Sequence, residues 1–173
     1  FKIYGWDEAD KQFEPTYEQI RNHPKMTYHG YAPNEVLREH LLKAHILAYP
    51  CIWKETACRV LIESMSAGLF CVHPNLAALS DTSGMMTSMY QYRDDPNEHA
   101  QVFYTALEQA INDVNRDEVQ SYLKFQKVYA DNRFGIKRIS YQWESLMRSL
   151  LEEYPTPESR KIPEQLFTYR TTP

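Results

Sequence analysis

Short apolar runs alternate with amphipathic helical stretches along the first half of this chain, and that alternation most narrows its possible folds. Phe1-Lys2-Ile3-Tyr4-Gly5-Trp6 reads as a strand running into a loop. Met26-Thr27-Tyr28-His29-Gly30 is a second, His45-Ile46-Leu47-Ala48-Tyr49 a third closed by Pro50, and Leu69-Phe70-Cys71-Val72-His73 a fourth closed by Pro74. Met85 to Tyr92 makes a fifth. Between them, Pro15 to His23 reads as a helix stopped near Pro24. Pro33 suits the first position of a helix running to about Ala44, with Val36, Leu37, Leu41 and Leu42 on one face. Thr56 to Ala67 is a further helix, with Gly68 as its C-terminal stop. Strands joined through helices by short connections build βαβ units with right-handed crossovers. The expected class is therefore α/β: an open parallel sheet with helices on both faces. In such sheets ligands bind beyond the carboxyl ends of the strands. Here those ends are the loops at Gly5, Gly30–Ala32, Pro50–Glu55 and Pro74–Asn75.

The second half turns helical. Asp95-Pro96 is an N-cap followed by proline at the first helical position, opening a helix to about Val114. Asp117 to Asp131 and Ile136 to Glu153 are two more. The tail from Pro155 holds four prolines and many polar residues. A length of 173 residues suits a single domain. We expect one over residues 1–153, incomplete at its N-terminus, then a tail over 154–173. The start at Phe1, without a methionine, suggests a piece of a longer protein, which leaves room for targeting signals upstream.

Composition removes several function classes. There are 5 glycines, Gly5, Gly30, Gly68, Gly84 and Gly135, too far apart for G-x-G-x-x-G or a Walker A loop. A net charge of −4 and a pI near 5.9 give no basic face for nucleic acid. Cys51, Cys58 and Cys71 are odd in number and lack C-x-x-C spacing, which disfavours a disulfide framework or a zinc knuckle. A reducing, cytoplasmic setting is expected. No apolar run approaches the ~20 residues that span a bilayer, and peripheral membrane association of a longer protein stays open.

The densest stretch runs from Tyr49-Pro50-Cys51 through Glu55 to Glu63-Ser64-Met65-Ser66-Ala67-Gly68. Glu55 falls in a loop at a strand's carboxyl end. The helix beginning there points the free N–H groups of Thr56 to Arg59 into the cleft, an anion site that needs no glycine. Glu63, two turns on, sits among Val60, Leu61, Ile62 and Met65. A carboxylate in such company needs strong donors, and the two hydroxyls of a ribose are good ones. Alternatively Glu63 lies at the helix edge, facing water or pairing with Arg59 one turn back. A nucleophilic Cys58 at the helix start is conceivable, but small thiols also pack well there. Trp53, near Glu55, either lines the pocket or, the favoured reading, bridges helix and sheet. His73 is either a strand-end histidine with its bonds satisfied or a ligand contact. Tyr122, Tyr129, Tyr141 and Tyr154 are read as packing residues.

With its flanks, this stretch resembles the E-x7-E segment of the retaining GT-B glycosyltransferases of family 4, which use nucleotide-activated sugars. Pro50-Cys51, Glu55, Glu63 to Gly68 and the strand from Leu69 to His73 follow that family's order. Met26 to Tyr31 is similar to its "V-x-F-x-G" strand, and Asn34 to Ala48 to the helix and strand before the motif. The helix around Trp143 resembles its aromatic-containing final helix. The resemblance covers roughly residues 1–150 and implies a Rossmann-like domain, one half of a GT-B fold. It implies that Glu63 holds the donor's ribose and that Glu55 touches the transferred sugar, steadying positive charge at its anomeric carbon. It places the backbone of Thr56, Ala57, Cys58, Arg59 and Val60 near the diphosphate and Tyr31 at the base. It further implies a hexosyltransferase needing no cofactor and no metal ion, with a nucleoside-diphosphate sugar as donor. The acceptor, a saccharide, lipid or protein, would be held mainly by an N-terminal domain outside this sequence, so the isolated piece should be inactive. Two departures stand out. Ala57-Cys58 replaces the usual Phe-Gly, so the Cys58 side chain is expected to narrow the phosphate approach. The family's basic clamp is missing, and Arg59 is its candidate substitute. The rivals are a sugar-nucleotide epimerase of GT-B architecture and a non-catalytic, flavodoxin-like nucleotide-binding domain.

Overall fold

The structure is a computed structural model that describes residues 2–4 and 13–153. In chain order the elements are β1 (Lys2–Tyr4), α1 (Glu14–Asn22), β2 (Thr27–Gly30), α2 (Asn34–Leu41), β3 (Ile46–Ala48), α3 (Arg59–Ala67), β4 (Phe70–Pro74), α4 (Leu79–Ser83), β5 (Ser88–Tyr90), α5 (Pro96–Asp113), α6 (Asp117–Phe134) and α7 (Ile136–Glu153). The chain divides into two units, residues 1–130 and 131–173. The expected tail over 154–173 lies outside the described residues.

Among the described residues every strand pairing is parallel, as the βαβ pattern requires. The expected single sheet, however, is two among them: β1 with β2, and β3-β4-β5. Local alternation encodes the strands and their sense, but which strands become neighbours depends on contacts far apart in sequence. In the larger sheet Ile46 and Ala48 stand opposite Phe70 and Val72, while Val72 and Pro74 stand opposite Ser88 and Tyr90. Side chains alternate across a strand, so Ile46, Phe70, Val72 and Tyr90 share one face. On that face Val72, Tyr90 and Ala110 form a buried cluster, joined by Val102, Phe103 and Ala106 of α5. Burying a side chain of the size of valine or phenylalanine contributes roughly 1.5–3 kcal/mol. The opposite face carries Leu47, Cys71, His73 and Met89. There α3 and α4 close over it: α3 packs on β4 and α4, and Ser83 Oγ, which donates to the Ser80 carbonyl at 3.0 Å, lies 3.6 Å from Met89 Sδ. Helices thus cover both faces. The Gln126 side chain of α6 donates to the Leu69 carbonyl at 2.7 Å, satisfying a backbone group where β4 begins.

The strong local signals hold. The Asp95 carboxylate accepts from the N–H groups of Asn97 and Glu98, both at 2.9 Å, with Pro96 next in line. Gly68 ends α3 at φ 84°, and Leu69 N–H donates to the Ser64 carbonyl at 3.0 Å. That left-handed turn sends the chain straight into β4. Several boundaries differ. Pro33 is the N-cap of α2 rather than its first helical residue, and α2 ends at Leu41, leaving Leu42 exposed. Helix α3 begins at Arg59 instead of Thr56, because Cys58 is extended (ψ 99°) and its carbonyl accepts the early helical bond from Ile62. The short α4 is absent from the sequence reading. At five residues it lies below the length at which helical periodicity shows. In the second unit, α7 spans Ile136–Glu153 as read from sequence. An Arg148–Glu144 pair at 2.7 Å braces it, and Trp143 lies on it, exposed.

Gly68 and Gly84 (φ 57°) both occupy the left-handed region. At Gly68 an added Cβ meets nothing within 4 Å, whereas at Gly84 it would lie 2.3 Å from the Tyr129 ring. Gly68→Ala should therefore cost about 1 kcal/mol, from backbone strain alone. Gly84→Ala should cost about 1–3 kcal/mol more, for displacing a packed ring. Urea denaturation of the two variants gives the comparison, and equal costs would contradict it.

Candidate functional site

Three loops leave the carboxyl ends of β3, β4 and β5, and backbone bonds tie them together. Tyr49 prolongs the line of β3, its N–H donating to the Val72 carbonyl at 2.9 Å. The next residues turn tightly: Cys51 N–H reaches the Tyr49 carbonyl at 2.9 Å and Glu55 N–H the Trp53 carbonyl at 3.0 Å. The Glu55 carbonyl then accepts from Ala78 N–H at 3.3 Å, joining this loop to the one after β4. Asn75 makes the second joint. Its amide donates to Gln91 Oε1 at 2.9 Å, and its Oδ1 accepts from Tyr92 N–H, also at 2.9 Å. Only a side chain with donor and acceptor side by side can hold both groups.

Glu55 lies in this knot, half-buried, and its Oε1 accepts from the Tyr49 hydroxyl at 2.7 Å. Burial, reinforced by that bond, pushes the Tyr49 phenol far above its usual range, so it remains a protonated donor. Glu63 lies on α3 with its side chain 25% exposed. Its Oε1 faces two guanidinium groups, Arg38 Nη2 from α2 at 3.3 Å and Arg59 Nη2 at 3.5 Å. The pairing one turn back, the alternative to the ribose role in the sequence reading, is thus present. Arg38 was invisible to that reading. It stands 25 residues upstream, and only the packing of α2 on α3 brings it in. Both arginines are mostly exposed, and ion pairs of this kind contribute about 0–1 kcal/mol each.

The expected phosphate residues divide. Arg59 and Val60 open α3, so their N–H groups belong to the first helical turn, which lacks intrahelical acceptors. Thr56 and Ala57 instead lie in the bend ahead of the helix. Their backbone is not part of that turn, because the loop bonds of Glu55 delay the helix. Cys58 is the N-cap and only 2% exposed, so its side chain turns into the protein and does not narrow an open approach. Burial raises its thiol pKa more than the neighbouring Leu61 N–H and Tyr49 hydroxyl lower it. That is the opposite of an activated nucleophile. Tyr31, after Gly30 (φ 61°), is 75% exposed, and among the described residues it makes no hydrogen bond to either glutamate. Trp53 is also 75% exposed and does not bridge helix and sheet, because the tight turns on either side hold residues 52–54 outward. Among the described residues no three of His, Cys, Asp and Glu gather where a metal ion could be held. No helix among them is long and apolar enough to cross a membrane.

A family profile described as "Glycosyl transferases group 1" matches residues 1–113. The chain belongs to that family. Among solved structures, this chain is similar to a sucrose-phosphate synthase from Thermosynechococcus elongatus. The TM-score is 0.71 and the identity 17%, over 88% of this chain and 38% of that one. It is also similar to the catalytic domain of starch synthase IV from Arabidopsis thaliana, bound to ADP and acarbose. There the TM-score is 0.57 and the identity 20%, over 84% of this chain and 31% of that one. These likenesses show the fold, that of GT-B glycosyltransferases, and the chain spans about a third of the length of either structure. No curated protein sequence matches it.

His73 is wholly buried, with both ring nitrogens engaged. Nδ1 lies 2.9 Å from the Pro74 carbonyl and Nε2 2.7 Å from Thr87 Oγ1. The carbonyl can only accept, so Nδ1 carries the proton and Nε2 takes the Thr87 hydroxyl. This is the satisfied strand-end histidine, not a ligand contact. Burial lowers its pKa, and the Pro74 bond offsets that only in part. Its folded pKa therefore lies below the unfolded value of about 6.5. The stability this contributes is present above about pH 6.5 and is lost as the pH falls through the folded value. Melting temperatures should decline from pH 7 toward pH 5, and less steeply in His73→Asn, which keeps a donor toward Pro74. Parallel declines in the two proteins would count against this role.

Proposed function

We propose that this chain is the donor half of a retaining glycosyltransferase, a hexosyltransferase that takes its sugar from a nucleoside diphosphate. One observation carries the reading: the first turn of α3, at Arg59 and Val60, begins between Glu55 in the β3 loop and Glu63 further along the same helix. Together these offer an anion site flanked by two carboxylates, the requirements of a diphosphate joined on one side to a ribose and on the other to a sugar. Glu63 would accept from the ribose hydroxyls in place of, or beside, the two arginines. Glu55 would meet the sugar, and its charge would favour the positive character developing at the anomeric carbon during transfer. The amides of α3, with Arg59, would hold the diphosphate without a metal ion, and the exposed ring of Tyr31 suits a base. The acceptor, whether saccharide, lipid or protein, would be held by chain outside this sequence. The starch synthase relative was solved with ADP bound, which favours a nucleoside diphosphate as the first ligand to try. A cytoplasmic setting suits this substrate class.

Isothermal titration with UDP, ADP and GDP tests the reading. Glu63→Gln should weaken the preferred nucleotide by about 1–3 kcal/mol, the range for hydrogen bonds to a charged group. The matching 2′-deoxynucleotide, lacking one partner hydroxyl, should lose less. Equal losses for both nucleotides would remove the ribose role.

A second expectation concerns turnover in the full-length protein. Glu55→Ala should lower kcat far more than it weakens binding of the bare diphosphate, because its partner is the sugar. Steady-state rates set beside titration data decide this, and a loss confined to diphosphate affinity would place Glu55 elsewhere.

A further inference from the structure

Glu55 stands on an irregular loop, where a glutamate side chain has three rotatable bonds and several orientations open to it. One hydrogen bond selects among them. The Tyr49 hydroxyl reaches Glu55 Oε1 at 2.7 Å, close to the short range of O–H···O⁻ bonds. The donor is itself fixed, because the Tyr49 backbone is bonded to Val72 in the neighbouring strand. The backbone of Glu55 is held as well, by Trp53 on one side and Ala78 on the other. Carboxylate, loop and donor are therefore referred to the same sheet.

We propose that Tyr49 is a positioning residue for Glu55: its hydroxyl fixes one carboxylate oxygen so that the other keeps a set direction toward the transferred sugar. The proposal rests on the reading of Glu55 as the sugar-facing carboxylate. The chemistry of the donor suits the task. A phenol is neutral, so it orients the carboxylate without cancelling the negative charge a forming positive centre needs. An arginine in its place would orient and neutralise at once, as Arg38 and Arg59 do at Glu63. Burial keeps the phenol protonated, so the donor persists through the neutral range. A purely structural tyrosine would need its ring but not its hydroxyl.

The test uses Tyr49→Phe, which removes the hydroxyl and keeps the ring, beside Glu55→Gln and the double variant, in the full chain. Isothermal titration with UDP and UDP-glucose, ADP and ADP-glucose, and GDP and GDP-mannose gives for each protein a ratio of sugar-nucleotide to bare-diphosphate affinity. Tyr49→Phe should lower that ratio about three- to tenfold, the effect of one hydrogen bond, and leave the bare diphosphate unchanged. Glu55→Gln should lower it at least as far, and the double variant no further than Glu55→Gln, because Tyr49 acts through Glu55. If Glu55→Gln lowers the ratio and Tyr49→Phe does not, or Tyr49→Phe weakens both ligands alike, the positioning role is overturned and the reading of Glu55 survives. If Glu55→Gln leaves the ratio intact, or none of the six ligands binds, that reading falls and the proposal with it.

Discussion

Strand β4 is held on both edges and both faces, and the rest of the first unit is arranged around that constraint. Its backbone groups are shared between β3 and β5. Its even positions feed the cluster under α5, and its odd positions put Cys71 and His73 under the opposite helices. A strand buried this way cannot leave polar groups unpaired. Polar groups along it are accordingly matched: Gln126 to the Leu69 carbonyl, Thr87 and the Pro74 carbonyl to His73, and Asn75 N–H to the Tyr90 carbonyl. The same requirement continues past the strand end. Asn75 satisfies the loops after β4 and β5 together, and Ala78 secures the Glu55 carbonyl. The candidate site is thus an extension of the core's hydrogen bonding, not a loop laid over it.

What the sequence disclosed was what local chemistry decides. Asp95-Pro96 caps a helix because a carboxylate and a ring-locked φ act within one turn. Gly68 ends one because a left-handed residue is needed at that spot. The periods of two and of 3.6 residues gave the strands, their parallel order and the long helices. Glu55 and Glu63 stood out by position, one at a strand's carboxyl end and one among apolar neighbours, and the resemblance added their roles; without it Glu63 was equally readable as a helix-edge residue facing water or paired to Arg59. That pairing does exist, alongside a second one from Arg38. Arg38, Asn75, Thr87 and Tyr49 as a donor stayed hidden because each acts on a partner brought near by tertiary packing or by a loop doubling back. The late start of α3 belongs with them. Thr56 and Ala57 have nothing against helix in themselves, but the bonds that hold Glu55 consume the geometry a longer helix would need. The division of the strands into two sheets was hidden for a similar reason, since pairing partners are a property of the assembled chain.

The two glutamates share a chemical group and differ in surroundings, and the difference fits the separate work proposed for them. Glu55 is half-buried and held by one neutral hydroxyl. Among the described residues no counter-ion pairs with it, and it is not fully exposed to solvent, so a positive centre nearby would feel most of its charge. Glu63 is met by two cations on one oxygen. That arrangement suits a neutral diol, which needs directional acceptors rather than a field. Neither arginine is deeply buried, so yielding space to an incoming ribose removes contacts that contribute little. A buried pair would resist, because parting it would strand a charge away from water. On the proposed reading, exposure of Arg38 and Arg59 would leave Glu63 available, and Arg59, itself in the first turn of α3, would stay beside that turn. Two phosphates carried in with the ribose would need positive charge there, and Arg59, on releasing one anion, would stand beside the next.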